Sequence, residues 1–373
     1  MPLFFLVGGY SNGASWAATR RGGKTYADWL SGRMQRLINP VLPLFLVRSL
    51  FALSMTAFNI VRQIIRMAVQ LALVPVWFLA VHLIVSALVP LTYRGWLRYG
   101  MGSFWALVAG AVLVDLAAIG LRVPYVNWLN FLFVWLAVHQ LGYAWQAGAL
   151  ARRRYAALLC IGALAVLGGL VRSGSYPVAM IGVPGNDLSN SMPPTLALLA
   201  LGIAQAGLAL ALEAPLRRAL GRAWLWTATV LLNGMIMTVY LWHLTAFVLA
   251  VVAAWLLGGP GLDVTPGTAP WWLLRPVWFA VYIAVLLPLI ALFVRFEQMG
   301  SNAGKGKIRQ VALWRLITGM ALICAGLALT AAVSIASAQG VSGPRLWVAA
   351  LPFIGAALIG FGPAYTLARR LGV

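Results

Sequence analysis

Acidic side chains are almost missing from this sequence: its 373 residues carry six Asp and Glu against 27 Lys and Arg, a formal charge of +21. So few carboxylates cannot build an oxygen-rich cation site or a pair of glycosidase acids. Charge of either sign is scarce, at 9% of residues, where a soluble domain carries roughly 25%. Only two cysteines occur, Cys160 and Cys324, both inside apolar runs. They suggest neither a disulfide framework nor a metal site. P-loop, GxGxxG and HExxH patterns are also missing and no GxSxG nucleophile elbow is expected, which removes the commonest nucleotide-binding and hydrolytic signatures. The N-terminus lacks the basic segment and cleavage site of a signal peptide, so none is expected.

What the sequence has instead is apolar residues, 62% of the total, with a mean hydropathy of +0.91. A soluble chain this apolar has no means of covering its surface with groups that water solvates. A bilayer removes that requirement. About 20 apolar residues cross roughly 30 Å of hydrocarbon. Such runs lie at 39–61, 69–91, 102–121, 126–146, 155–172, 194–212, 234–257, 272–294, 312–335 and 346–368. The expected fold is all-α: a polytopic transmembrane helical bundle of about ten full spans. The run 224–257 is too long for one upright helix, and Asn233–Gly234 is a plausible break. No internal repeat is visible, so an inverted-repeat transporter is not supported.

The basic residues alternate in density along the chain. Nineteen of the 27 fall in one set of loops, between Arg20 and Arg36, at Arg94 and Arg98, Arg152–Arg154, Arg217–Arg222, Arg295–Arg309 and Arg369–Arg370. Five fall in the alternate loops. This asymmetry predicts a multi-pass protein of the plasma membrane with its basic loops and C-terminus cytoplasmic. Short clusters between apolar runs also argue against nucleic acid as a partner. A basic cytoplasmic face would attract an anionic substrate. With 11–38 cytoplasmic, residues 1–10 would form only an N-terminal half-span, about 15 Å of helix. The segment 298–307 reads as a flexible linker.

Ionisable groups inside a membrane ask for a reason. All three histidines, His82, His139 and His243, lie in spans. Each is either a packed, hydrogen-bonded residue or a general base. Asp115 is the one acid deep in a span. It could pair with Arg48 or Arg122, or orient a histidine. Arg48 and Arg275 lie near span ends, where snorkelling to the headgroups accounts for them. Asn130 and Asn233 suit hydrogen bonds across helices. Arg33 and Arg36 share a helix face at i, i+3. They are either ordinary cytoplasmic arginines or a guanidinium fork for phosphate.

Several of these pieces occur in a recognisable order. The opening MPLFFLVGGY is followed about twenty residues later by YADWLSGRMQRLINPVLPL. Later come MTVYLWHLTAF (237–247), PVWFLAVHLIVSALVPLT (75–92), WLNFLFVWLAVHQLGYAW (128–145) and VPGNDLSNSMPPTLALLALGIAQAG (183–207). Together they resemble the bacterial acyltransferase 3 family of multi-pass membrane O-acyltransferases, in a branch common in actinobacteria, from residue 1 to about Glu297. The resemblance implies a ten-helix fold for the domain over 1–297; the sequence beyond it reads as a linker over 298–311 and two additional helices over 312–373. It implies an acyl donor, usually acyl-CoA as co-substrate with no bound cofactor or metal. The acyl group, acetyl or another short acyl, would pass to a hydroxyl of a glycan, glycolipid or similar acceptor.

By that resemblance Arg33 and Arg36 bind the donor or shape its channel. Phe4, Phe5, Gly8 and Gly9 match the family's Phe/Gly region. Tyr240, Leu241, Trp242 and His243 match its late motif, and Asp115 and Asn233 are structural. The chain departs from the family in lacking a first helix that carries a basic residue and, about ten residues on, the presumed catalytic histidine. In a full-length form that histidine would activate the acceptor hydroxyl; in the sequence as given, His243 or His139 could take its place. Two rival readings are a catalytically inactive homologue that binds acylated glycans, and a lipid or glycan transporter.

Overall fold

A computed structural model describes residues 1–57, 76–181, 189–303, 311–333, 346–363 and 365. The end of the run 39–61, the start of 69–91 and the basic residues at 62, 66, 305, 307, 309, 345, 369 and 370 lie outside them.

Every regular element among the described residues is helical. In chain order these are α1 (Pro2–Arg21), α2 (Tyr26–Ile38), α3 (Val41–Ala57), α4 (Val76–Ala87), α5 (Val89–Tyr99), α6 (Met101–Asp115) and α7 (Asn130–Gln146). There follow α8 (Arg153–Arg172), α9 (Leu196–Ala211), α10 (Glu213–Ala219), α11 (Ala223–Leu256), α12 (Ala269–Ala303), α13 (Leu313–Val333) and α14 (Leu346–Ile359). The chain is an all-α membrane protein. Among the described residues five helices are long and apolar enough to cross a bilayer, or seven if each of two bent pairs is one span. That is fewer than the ten expected. Helices α7 and α14, at 17 and 14 residues, are shorter than a full crossing.

The bends follow proline. α4 and α5 meet at 57° around Leu88, and α9 and α10 meet at 52°. Pro90 and Pro215 sit at the start of the second helix of each pair. A proline ring clashes with the carbonyl one turn earlier and lacks an N–H, so a straight continuation is unfavourable.

Three further expectations need correction. α11 runs unbroken for 34 residues through Asn233 and Gly234. Yet the amides of Met237 and Thr238, four residues beyond that pair, donate to the buried Glu297 carboxylate at 3.2 and 2.8 Å. A side chain of α12 therefore serves the backbone where a break was expected. The linker at 298–307 begins later than expected, because α12 continues as helix to Ala303. Likewise residues 11–21, expected in a cytoplasmic segment, complete the 20-residue α1. Their Ser, Asn, Gly and Ala side chains have low hydropathy but are small enough to pack, and Asn12, Gly13 and Trp16 are buried.

Contacts divide the chain into two compact units. One comprises Met1–Tyr26 and Ile84–Trp226, the other Ala27–Leu83 and Thr227–Val373. In the first, α1 lies along α7 with Gly9 and Gly142 at the crossing. A Cβ on Gly9 would land on the His139 carbonyl, and one on Gly142 would land on the Leu6 carbonyl and the Tyr10 amide. Small residues that let two backbones approach are how helices gain packing in lipid, where the hydrophobic effect gives them little. Stacked Phe5 and Trp135, with centroids 4.4 Å apart, extend the seam, as do Tyr10 and Trp145 at 4.5 Å. In the second unit, α13 and α14 pair closely and α14 also packs on α3. α11 and α12 are joined by Trp242 stacked on Phe293 at 3.8 Å.

Candidate active site

The second unit holds the largest gathering of the sequence-predicted residues. α2 buries Trp29, Leu30, Met34 and Ile38, which turns Arg36 outward to an exposed position. Arg33 is half-buried, its guanidinium 5.2 Å from the centre of the Trp29 ring. Such a cation–π contact holds a flexible side chain in one place. The two arginines share a helix face but not an environment.

Arg33 interacts electrostatically with His82 on α4. One turn earlier on α4, Phe78 stacks with the His82 ring at 5.8 Å. Phe78 also meets Tyr240 of α11 edge-on at 5.3 Å, and Tyr240 lies 5.8 Å from His243. A continuous series of ring contacts thus runs from His82 of α4 to the Tyr-Leu-Trp-His motif of α11. Leu241 and Trp242 of that motif face the other way and are buried.

His243 is only partly buried, and its Nδ1 lies 2.6 Å from the carbonyl oxygen of Tyr240. A carbonyl can only accept, so Nδ1 carries the proton and Nε2 keeps its lone pair. This is the tautomer a general base requires. His243 also lines a cavity of about 510 Å³ formed with Phe247, Trp271, Arg275, Trp278 and Tyr282.

Arg48, expected to snorkel, is instead 6% exposed and donates from Nη2 to Thr245 Oγ1, two residues past His243. Arg275 lies 3.5 Å over the Trp271 ring. Asn233, expected to bond across helices, is exposed on α11.

The other predicted residues belong to the first unit. Phe5, Gly8 and Gly9 are buried and Phe4 is exposed. His139 is fully buried, with Nε2 3.0 Å from Asn12 Nδ2, which in turn reaches Ser86 Oγ at 3.5 Å. An imidazole whose Nε2 already accepts from an amide is a poor proton acceptor. Among the described residues Asp115 binds neither an arginine nor a histidine. Its carboxylate accepts from Asn130 Nδ2 at 2.7 Å, Tyr176 O–H at 2.9 Å and the Leu196 amide at 2.7 Å. It thereby caps the first turn of α9 from a distant helix. Burial, then the adjacent carboxylate, pushes the Tyr176 phenol above its ordinary range, so it stays a donor.

His82 is a candidate base in the sequence only by its place in a span, and Phe78 is no candidate there. The signal available was the segment PVWFLAVHLIV, which contains both.

A transmembrane α-helical protein with a partly buried histidine on a cavity wall and basic residues on adjacent helices fits group transfer within a membrane. A family model described as an acyltransferase domain matches residues 1–295. The chain belongs to the acyltransferase 3 family and is a membrane acyltransferase. No curated protein and no solved structure matches it.

Proposed function

We propose that the protein transfers a short acyl group, such as acetyl, from acyl-CoA to a hydroxyl of a glycan, glycolipid or similar acceptor, with the donor reaching it from the cytoplasmic side of the plasma membrane. The observation that carries this reading is the arrangement of His243: a half-buried imidazole with Nδ1–H on the Tyr240 carbonyl and its ring on a cavity wall.

In the proposed step, the acceptor hydroxyl oxygen attacks the thioester carbonyl and its proton passes to His243 Nε2. A C–O bond forms, the C–S bond breaks, and the imidazolium returns the proton to the leaving sulfur as free CoA thiol. General base assistance of this kind is worth roughly a hundred- to ten-thousand-fold. Arg33, steadied by Trp29, and Arg36 would meet the phosphates of CoA, for which guanidinium forks are suited. The high density of basic residues in one set of loops supports a cytoplasmic donor.

The test is transfer of radiolabelled acetyl from acetyl-CoA by purified protein in nanodiscs, with a panel of glycosides as acceptors. Labelled ester product, and its loss in His243→Ala, is expected. Neither transfer nor hydrolysis nor CoA binding in the intact chain would move the assignment to an inactive homologue or a transporter.

A further inference from the structure

The cavity beside His243 is built from the last turns of α11, the loop 257–268 and the first turns of α12. Its wall is unusual in one respect. Trp271, Trp278, Tyr282, Phe247 and Phe279 stand in it beside aliphatic residues, yet a single fixed positive charge, Arg275, stands there too. Arg275 is held by the face of Trp271 at 3.5 Å and forms no ion pair among the described residues. The loop's acid, Asp263, is exposed and does not line the cavity. A cation placed this way is oriented by the indole while its N–H groups remain available.

Aromatic walls with Trp N–H and Tyr O–H at their edges suit a ligand that is apolar on its faces and polar at its rim. A sugar ring is such a ligand. A guanidinium among them suits a carboxylate or phosphate on that ring. We propose that this cavity is the acceptor subsite and that it selects an anionic sugar, its charged group on Arg275 and its hydroxyl toward His243. This rests on the reading of the protein as an O-acyltransferase and adds the charge of the acceptor.

The test measures binding separately from transfer. Methyl glucoside, methyl glucuronide and glucose 1-phosphate are titrated against the full chain in nanodiscs, by calorimetry, for wild type, Arg275→Gln and Arg275→Lys. A hydrogen-bonded charge pair predicts that wild type binds at least one of the two anionic sugars about tenfold or more tighter than the glucoside. Whether glucuronide or phosphate binds better identifies the carboxylate or the phosphate as the group read. Arg275→Gln should abolish the preference and Arg275→Lys should keep part of it, both with the wild-type thermal midpoint. Equal binding of neutral and anionic sugars by wild type, or a preference that survives Arg275→Gln, overturns the proposal. A preference for anionic sugars without acetyl transfer would instead remove the transferase reading and leave an anionic-sugar binding site.

Discussion

His243 donates through Nδ1 to the carbonyl oxygen of Tyr240, its neighbour one turn earlier on the same helix, at 2.6 Å. The motif therefore fixes the tautomer of its own histidine without help from a carboxylate. His243→Ala is expected to lower kcat for acetyl transfer roughly a hundred- to ten-thousand-fold with little change in the KM for donor. His139→Ala should instead lower the thermal midpoint and leave kcat per folded molecule near wild type. The reverse pattern, read by steady-state kinetics beside thermal denaturation, would assign the base to His139.

Arg33 and Arg36 are expected to act unequally. Arg33 lies against Trp29 and Arg36 is exposed, and exposed charges are weakened by screening. Arg33→Ala should raise the donor KM more than Arg36→Ala, and only the Arg36 contribution should fade as salt rises from 0.05 to about 0.5 M. Equal effects in a salt series would show that the two side chains share one environment.

Asp115→Asn removes one of the two carboxylate oxygens that collect three donors. Leaving a buried donor unsatisfied costs about 1–3 kcal/mol, so the variant should unfold at lower temperature. Its transfer rate per folded molecule should remain that of wild type, since no histidine depends on the carboxylate. A selective loss of kcat at unchanged stability would return Asp115 to the chemistry.

Gly142→Ala places a methyl group where the backbone of α1 already lies. The helices must separate, losing the Phe5–Trp135 stack, and a clear fall in thermal midpoint is expected. Gly162→Ala on α8 meets nothing within 4 Å and should be neutral or raise stability by up to about 1 kcal/mol. Equal melting of the two variants would show that the α1–α7 approach is not limiting.

Much of the fold was legible because hydropathy reads lipid directly: the apolar run 155–172 is α8 to within two residues, and 272–294 lies inside the longer α12. Hydropathy fails where helices bury polar or small residues. It missed the second half of α1, because Asn12 and Gly13 are buried by α7 and not by lipid. The bend at Leu88 had its signal in Pro90, which a run of apolar residues conceals. At the site, Arg33, Arg36 and His243 were legible as motif residues. The series through His82, Phe78 and Tyr240 was not, because it joins α4 and α11 and exists only after they pack. Asp115 was legible as a residue needing partners, but its partners are two neutral side chains and a backbone amide, which no search for opposite charges finds.

α11 has a geometric consequence of its own. Thirty-four helical residues measure about 51 Å, against roughly 30 Å of hydrocarbon, and even a 40° tilt, near the limit of known helices, leaves about 39 Å to accommodate. The surplus couples the height of His243 to the thickness of the surrounding lipid. Reconstitution into bilayers of increasing acyl-chain length should therefore give a maximum in transfer rate at one thickness. In the proposed reading the long helix makes the bilayer a dimension of the site, its thickness setting the height of His243.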